Sequence, residues 1–145
     1  MEYKELIQRV QDAAELATPQ QARTVTEVVL GTLGELLPPT ERRHLATQLS
    51  KPLKDSVNRW VERPPRELTR PHRFSLEEFY HRVAARSDRG YPRAVRCSQA
   101  VLGILQEAIS PGELDDIFRK LPPEYDELRT GVTRNPASPS LVKNP

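Results

Sequence analysis

Hydrophobic positions along the chain fall into two sets that answer each other. Near the start, Tyr3, Leu6, Ile7 and Val10 follow the i, i+3, i+4, i+7 spacing that puts apolar side chains on one helix face. Leu76, Phe79, Tyr80 and Val83 repeat that spacing later. Each stripe predicts an amphipathic opening helix. A longer pattern follows: Ala22, Val25, Val29, Leu33, Leu36 and Leu37 are matched by Ala94, Cys97, Val101, Leu105, Ala108 and Ile109, around the related strings "VLGTLGELLPPTE" and "VLGILQEAISPGE". A second, longer helix is expected in each half. Val28, Val29, Leu30 and Leu33 are apolar on more than one side, which places the long helices at the centre.

Start signals agree with these periods. Thr18-Pro19-Gln20-Gln21 supplies an N-cap hydroxyl, a proline at the first helical position and a glutamine three residues past the cap, so a helix should begin at Pro19. Tyr91-Pro92 keeps the proline without the capping hydroxyl. Ser75 with Glu78, and Ser110-Pro111-Gly112-Glu113, read as two further capping boxes. Leu114, Ile117, Phe118 and Leu121 mark a third helix in the second half, and Leu45 and Leu49 its counterpart in the first. Leu53, Val57, Trp60 and Val61 predict a fourth helix from about Pro52 to Glu62, answered after Pro123 by a shorter one carrying Tyr125 and Leu128.

The expected fold is therefore all-α: a tandem duplicated helical repeat, three helices plus a short fourth per repeat, forming one compact bundle about a pseudo-twofold axis. Residues 1–129 form the single domain, with repeats at about 1–62 and 75–129. They are joined by a Pro/Arg-rich connector at 63–74, containing "RPPRELTRPHR". Residues 130–145, ending in "ASPSLVKNP", are expected to be a disordered tail.

Two units opening on "EYKELIQRV" and "SLEEFYHRV", with "VLGTL" and "VLGIL" in the long helices and "LPPEY" near the end, resemble the bacterial family called domain of unknown function 2267. The resemblance covers roughly residues 1–129 and implies the duplicated helical fold. It brings no catalytic residues to carry over, and the first unit has "LSKPL" where the second has "LPPEY".

With 145 residues, 37% of them hydrophobic, the chain can bury one core. The single cysteine, Cys97, lies on an apolar stripe and reads as an inert core thiol. The charged opening "MEYKELIQRV" is unlike a secretory signal, and no run of apolar residues is long enough to span a membrane. A cytoplasmic location without membrane association is expected.

Candidate chemistry is sparse. Gly31 and Gly103 occupy matching helix positions, where glycine costs about 1 kcal/mol relative to alanine. A crossing of the two long helices at these glycines is the favoured explanation. His44, His72 and His81 are scattered, and Glu77 with His81 reads as a solvated i, i+4 pair, so no metal is expected. Ser75 and Ser110 are accounted for as caps, and Glu113, Asp115 and Asp116 as charges favoured near a helix start. No catalytic residue, cofactor or enzymatic activity is expected.

The uneven charge carries more. Net charge is +2, yet residues 59–96 hold ten arginines against five acids. With Trp60, the arginines Arg63, Arg66, Arg70, Arg73, Arg82, Arg86, Arg89 and Arg93 are the candidate contacts. Tryptophan and arginine are common interface anchors, so the leading expectation is a non-enzymatic protein-interaction or regulatory module whose partner is another protein. The alternative is nucleic-acid binding through the Arg-rich stretch 59–96.

Overall fold

The computed structural model describes residues 1–61 and 73–131, and every regular element among them is helical. Helix α1 spans Tyr3–Ala13, α2 Pro19–Glu35, α3 Pro39–Thr47 and α4 Lys51–Lys54, which runs into a 3-10 turn at Asp55–Asn58. The second half has α5 at Leu76–Ser87, α6 at Tyr91–Ala108, α7 at Pro111–Arg119, a 3-10 turn at Pro123–Tyr125, and α8 at Asp126–Thr130.

Local chemistry sets these boundaries. The Thr18 hydroxyl accepts from Gln21 N at 3.1 Å, so α2 begins at Pro19 as its sequence predicts. The glutamine closes the box one residue early, its Oε1 accepting from Ala17 N at 2.9 Å. Ser75 caps α5 by accepting from Glu78 N, and Ser110 caps α7 by accepting from Glu113 N. Helix α6 starts at Tyr91, with Pro92 in its first turn and Gly90 as its cap.

Each opening helix packs on both long helices: α1 on α2 and α6, α5 on α6 and α2, with α2 and α6 also in contact. The core they enclose has Leu30, Leu33, Phe79, Leu102, Leu105 and Tyr125 among its fully buried side chains. Phe79 meets Tyr80 and Tyr125 edge to face, with ring centroids 6.1 and 5.9 Å apart. The bundle is tied across by Arg9 to Glu107, two parallel bonds of 2.6 and 2.8 Å from α1 to α6, and by Arg82 to Glu35, 2.8 Å from α5 to α2. No described helix is long and apolar enough to cross a membrane.

Three expectations about where elements begin and end need correction. The fourth helix is shorter than the predicted Pro52–Glu62: α4 is a single turn, and the 3-10 winding after it brings the Ser56 and Val57 carbonyls against α2. Phe74, assigned to the connector, packs on the core, and its carbonyl accepts from the Tyr125 hydroxyl at 2.6 Å. The last helix reaches Thr130 and closes on Gly131 in the left-handed region, so the fold runs past the expected start of the tail. Residues 63–72 of the connector and 132–145 of the tail lie outside the described residues.

The two glycines of the long helices do not face one another. A Cβ on Gly31 would fall 2.4 Å from the Trp60 ring, whereas one on Gly103 would meet nothing within 4 Å. The tightest position is Gly34, where a Cβ would lie 1.8 Å from the Val57 carbonyl oxygen. Gly31 and Gly34 are therefore needed by the segment that lies on α2, and a crossing at Gly103 is not the reason for the pattern.

Candidate functional site

Two arginines of the Arg-rich stretch, Arg82 and Arg86, are engaged inside the molecule. Arg82 donates to Glu35 at 2.8 Å and to Glu78 at 2.9 Å, and its guanidinium lies 4.0 Å over the Phe74 ring. Arg86 donates to the other Glu35 oxygen and, at 3.0 Å, to the Thr32 hydroxyl. Its far face covers the Trp60 ring at 4.0 Å. Glu35 is only 5% exposed, so this is a partly buried charge network rather than a phosphate-facing surface.

The other candidates scatter. Arg93 donates to the Ala14 and Glu15 carbonyls at the end of α1, satisfying groups a helix C-terminus leaves open. Arg89 is half-buried, and its Nε has no hydrogen-bond partner. Arg73 is exposed. Arg63, Arg66 and Arg70, with His72, lie outside the described residues. Trp60 is half-buried, held between α2 and the Arg86 guanidinium, with Arg59 4.9 Å from its ring. It packs against the core while staying partly exposed.

An open apolar groove lies between the N-terminal halves of α1 and α2. Tyr3, Ile7 and Pro19 line it, Lys4 and Arg23 bring positive charge, Gln8 and Gln20 complete it, and its volume is about 480 Å³. Burial pushes the Tyr3 phenol up from its ordinary pKa, and its hydroxyl has no hydrogen-bond partner. Between α5 and α6, the Tyr91 ring is packed edge-on to Tyr80 at 6.0 Å and lies 4.5 Å from His81. Pro19 and Tyr91 are each the first residue of their helix.

A third cluster joins α3 to α7. Glu41, His44 and Glu113 bring one ligating atom each to within 4.8 Å of one another. Both carboxylates are 8% exposed, and each has an Oε2 that lacks a hydrogen-bond partner. His44 Nδ1 lies 4.0 Å from Glu113 Oε1 on an imidazole that is half exposed. Burial, then the neighbouring Glu41 charge, raises the Glu113 pKa from its ordinary value.

Sequence reasoning missed this cluster by assigning Glu113 to a capping box. Gln48 takes that job: its Oε1 accepts the Ser110 N–H at 2.7 Å, leaving the Glu113 side chain to turn inward. A signal was present, since Glu41 and Glu113 are separated by the same spacing as Gly31 and Gly103. The Glu77–His81 pair, by contrast, is solvated at 4.0 Å, as expected. Cys97 is fully buried, and desolvation raises its thiol pKa although Arg89, Arg93 and Arg96 pull the other way.

Compared with known proteins, residues 3–128 match the model of a family described as an uncharacterized conserved protein (DUF2267). No curated protein matches the chain.

Proposed function

We propose that this chain, which belongs to the DUF2267 family, is a non-enzymatic cytoplasmic module that captures an acidic segment of another protein in the α1–α2 groove. The observation that carries the reading is the open apolar groove lined by Tyr3, Ile7 and Pro19; with the chain read as a duplication, Tyr91, the first residue of α6, packs on Tyr80 where Pro19 opens α2 in the first half. A groove of about 480 Å³ lies in the size range of side-chain and small-molecule pockets. Its apolar floor suits one aromatic anchor, and Lys4, with the part of the Arg23 guanidinium left over from its 3.0 Å pairing with Glu27, suits flanking Asp or Glu residues. Binding rather than catalysis is supported by the engagement of the nucleophile types: Cys97 is buried, and Ser75 and Ser110 hold helix N-termini.

The bundle is read as a tandem duplication of one helical unit. Support comes from the repeated order of an opening, a long and a third helix. The exchanged pairs Arg9–Glu107 and Arg82–Glu35 add to it, because each ties the opening helix of one half to the long helix of the other.

The test is fluorescence anisotropy with labelled Glu-Glu-Phe-Glu-Glu and Glu-Glu-Ala-Glu-Glu peptides, alongside labelled single-stranded DNA. Saturable binding of the phenylalanine peptide alone, lost in Pro19→Tyr, is expected. Equal binding of both peptides would reduce the groove to a charged surface. Binding of DNA with no response to either peptide would transfer the function to the arginine-rich stretch.

A further inference from the structure

We propose that Glu41, His44 and Glu113 form a divalent transition-metal site that bridges α3 and α7. The chain itself converges the three donors. Glu41 and His44 are three residues apart in α3, which puts them on one helix face. Glu113 comes from the first turn of α7, beside α3 in the fold.

Burial makes the arrangement informative. A carboxylate removed from water needs a hydrogen-bond donor, a proton or a cation, because an unpaired buried charge is strongly destabilising. Glu41 and Glu113 are each more than nine-tenths buried, and each keeps an oxygen without a donor. The basic residue next in sequence does not meet that need: Arg42 directs Nη1 to the Leu37 carbonyl and Nε to Asn58. The amide that would have claimed Glu113 is the Ser110 N–H, which Gln48 occupies. Two carboxylates are thus turned toward each other, with an imidazole at their open edge.

Donor chemistry narrows the ion. One imidazole nitrogen with two carboxylates suits manganese, iron, cobalt or zinc, whereas calcium prefers six or more oxygens. Metal–ligand bonds near 2.0–2.2 Å require donor atoms roughly 3–4 Å apart. The present spread within 4.8 Å therefore needs only a modest side-chain adjustment to close. His44, with 55% of its side chain exposed, gives the ion a route in and leaves coordination positions for water. Asp116 lies one turn beyond Glu113 but is held by Arg119 at 3.0 Å, so it is a bystander charge rather than a ligand.

The competing account is that the two glutamates share a proton and bind nothing. Both accounts are separated by titrating the tag-free, full-length chain with Co²⁺ while following its visible absorption, and by thermal melting with Zn²⁺. A metal site predicts one equivalent of Co²⁺ with ligand-field bands, and a melting temperature that rises with Zn²⁺. Glu41→Gln, Glu113→Gln and His44→Ala should each weaken binding at least about tenfold. The exposed His44 variant leaves the buried pair in place, so its folding is not at issue. Absence of bands and of any Zn²⁺-induced shift in the parent protein would overturn the site in favour of a shared proton. Binding that survives His44→Ala but disappears in His81→Ala would also overturn it, placing the ion on the surface Glu77–His81 pair.

Discussion

Arg82 of α5 donates to Glu35 of α2 at 2.8 Å, and Glu35 also accepts from Arg86, so one carboxylate with 5% exposure is neutralised by two guanidiniums. Arg9 and Glu107 make the matching link between α1 and α6, but with 37% and 50% of their side chains exposed. Burial should separate the two links. Glu35→Gln leaves two partly buried arginines without their counter-charge and should cost roughly 2–4 kcal/mol in denaturant unfolding. Glu107→Gln should leave the midpoint essentially unchanged. Equal losses would mean that burial does not set the strength of these links.

The glycines give a graded series. Gly34→Ala would drive a Cβ into the Val57 backbone and should prevent stable folding. Gly31→Ala presses on the Trp60 ring and would displace it from its place under Arg86, so a lowered melting temperature with red-shifted tryptophan emission is expected. Gly103→Ala has free space and should stabilise by about 0.5–1 kcal/mol through helix propensity. A destabilising Gly103→Ala would restore a packing role for that residue.

Cys97 has no exposure and a thiol pKa raised chiefly by burial. The native protein should not react with a thiol-specific disulfide reagent at neutral pH, and one equivalent should react in denaturant. Rapid native labelling would show that the neighbouring arginines outweigh burial.

Two buried tyrosines make alkaline pH destabilising. Burial raises the pKa of Tyr80, helped by its 2.6 Å bond to Glu127, and burial likewise raises that of Tyr125. A raised folded-state pKa gives stability that is complete below the unfolded value near 10 and is lost as pH climbs through the folded one. Unfolding free energy should therefore fall above about pH 10, and the fall should be shallower in Tyr125→Phe. A pH-independent free energy up to pH 12 would contradict this assignment.

Much of the fold was legible because local rules act alone on it. Thr18 and Pro19 place the start of α2, and the stripe from Leu76 to Val83 places α5. The sites were less legible, because their residues meet only through tertiary packing. Charge counting could not show that Arg82 and Arg86 turn inward, since Glu35 is far away in sequence. The capping-box pattern at Ser110 was correct for its hydroxyl and wrong for Glu113, because Gln48 arrives from another helix to take the free amide. The groove was not legible because Tyr3 and Ile7 of α1 meet Pro19 and Arg23 of α2 only through packing.

The most direct measurement is a map of backbone amide chemical-shift changes as the Glu-Glu-Phe-Glu-Glu peptide is titrated into nitrogen-15-labelled protein. Capture in the groove predicts saturable shifts concentrated at Tyr3–Gln8 and Thr18–Arg23, absent from the Pro19→Tyr variant. Shifts centred on Arg59, Trp60 and Arg73, or unchanged by that variant, would contradict it.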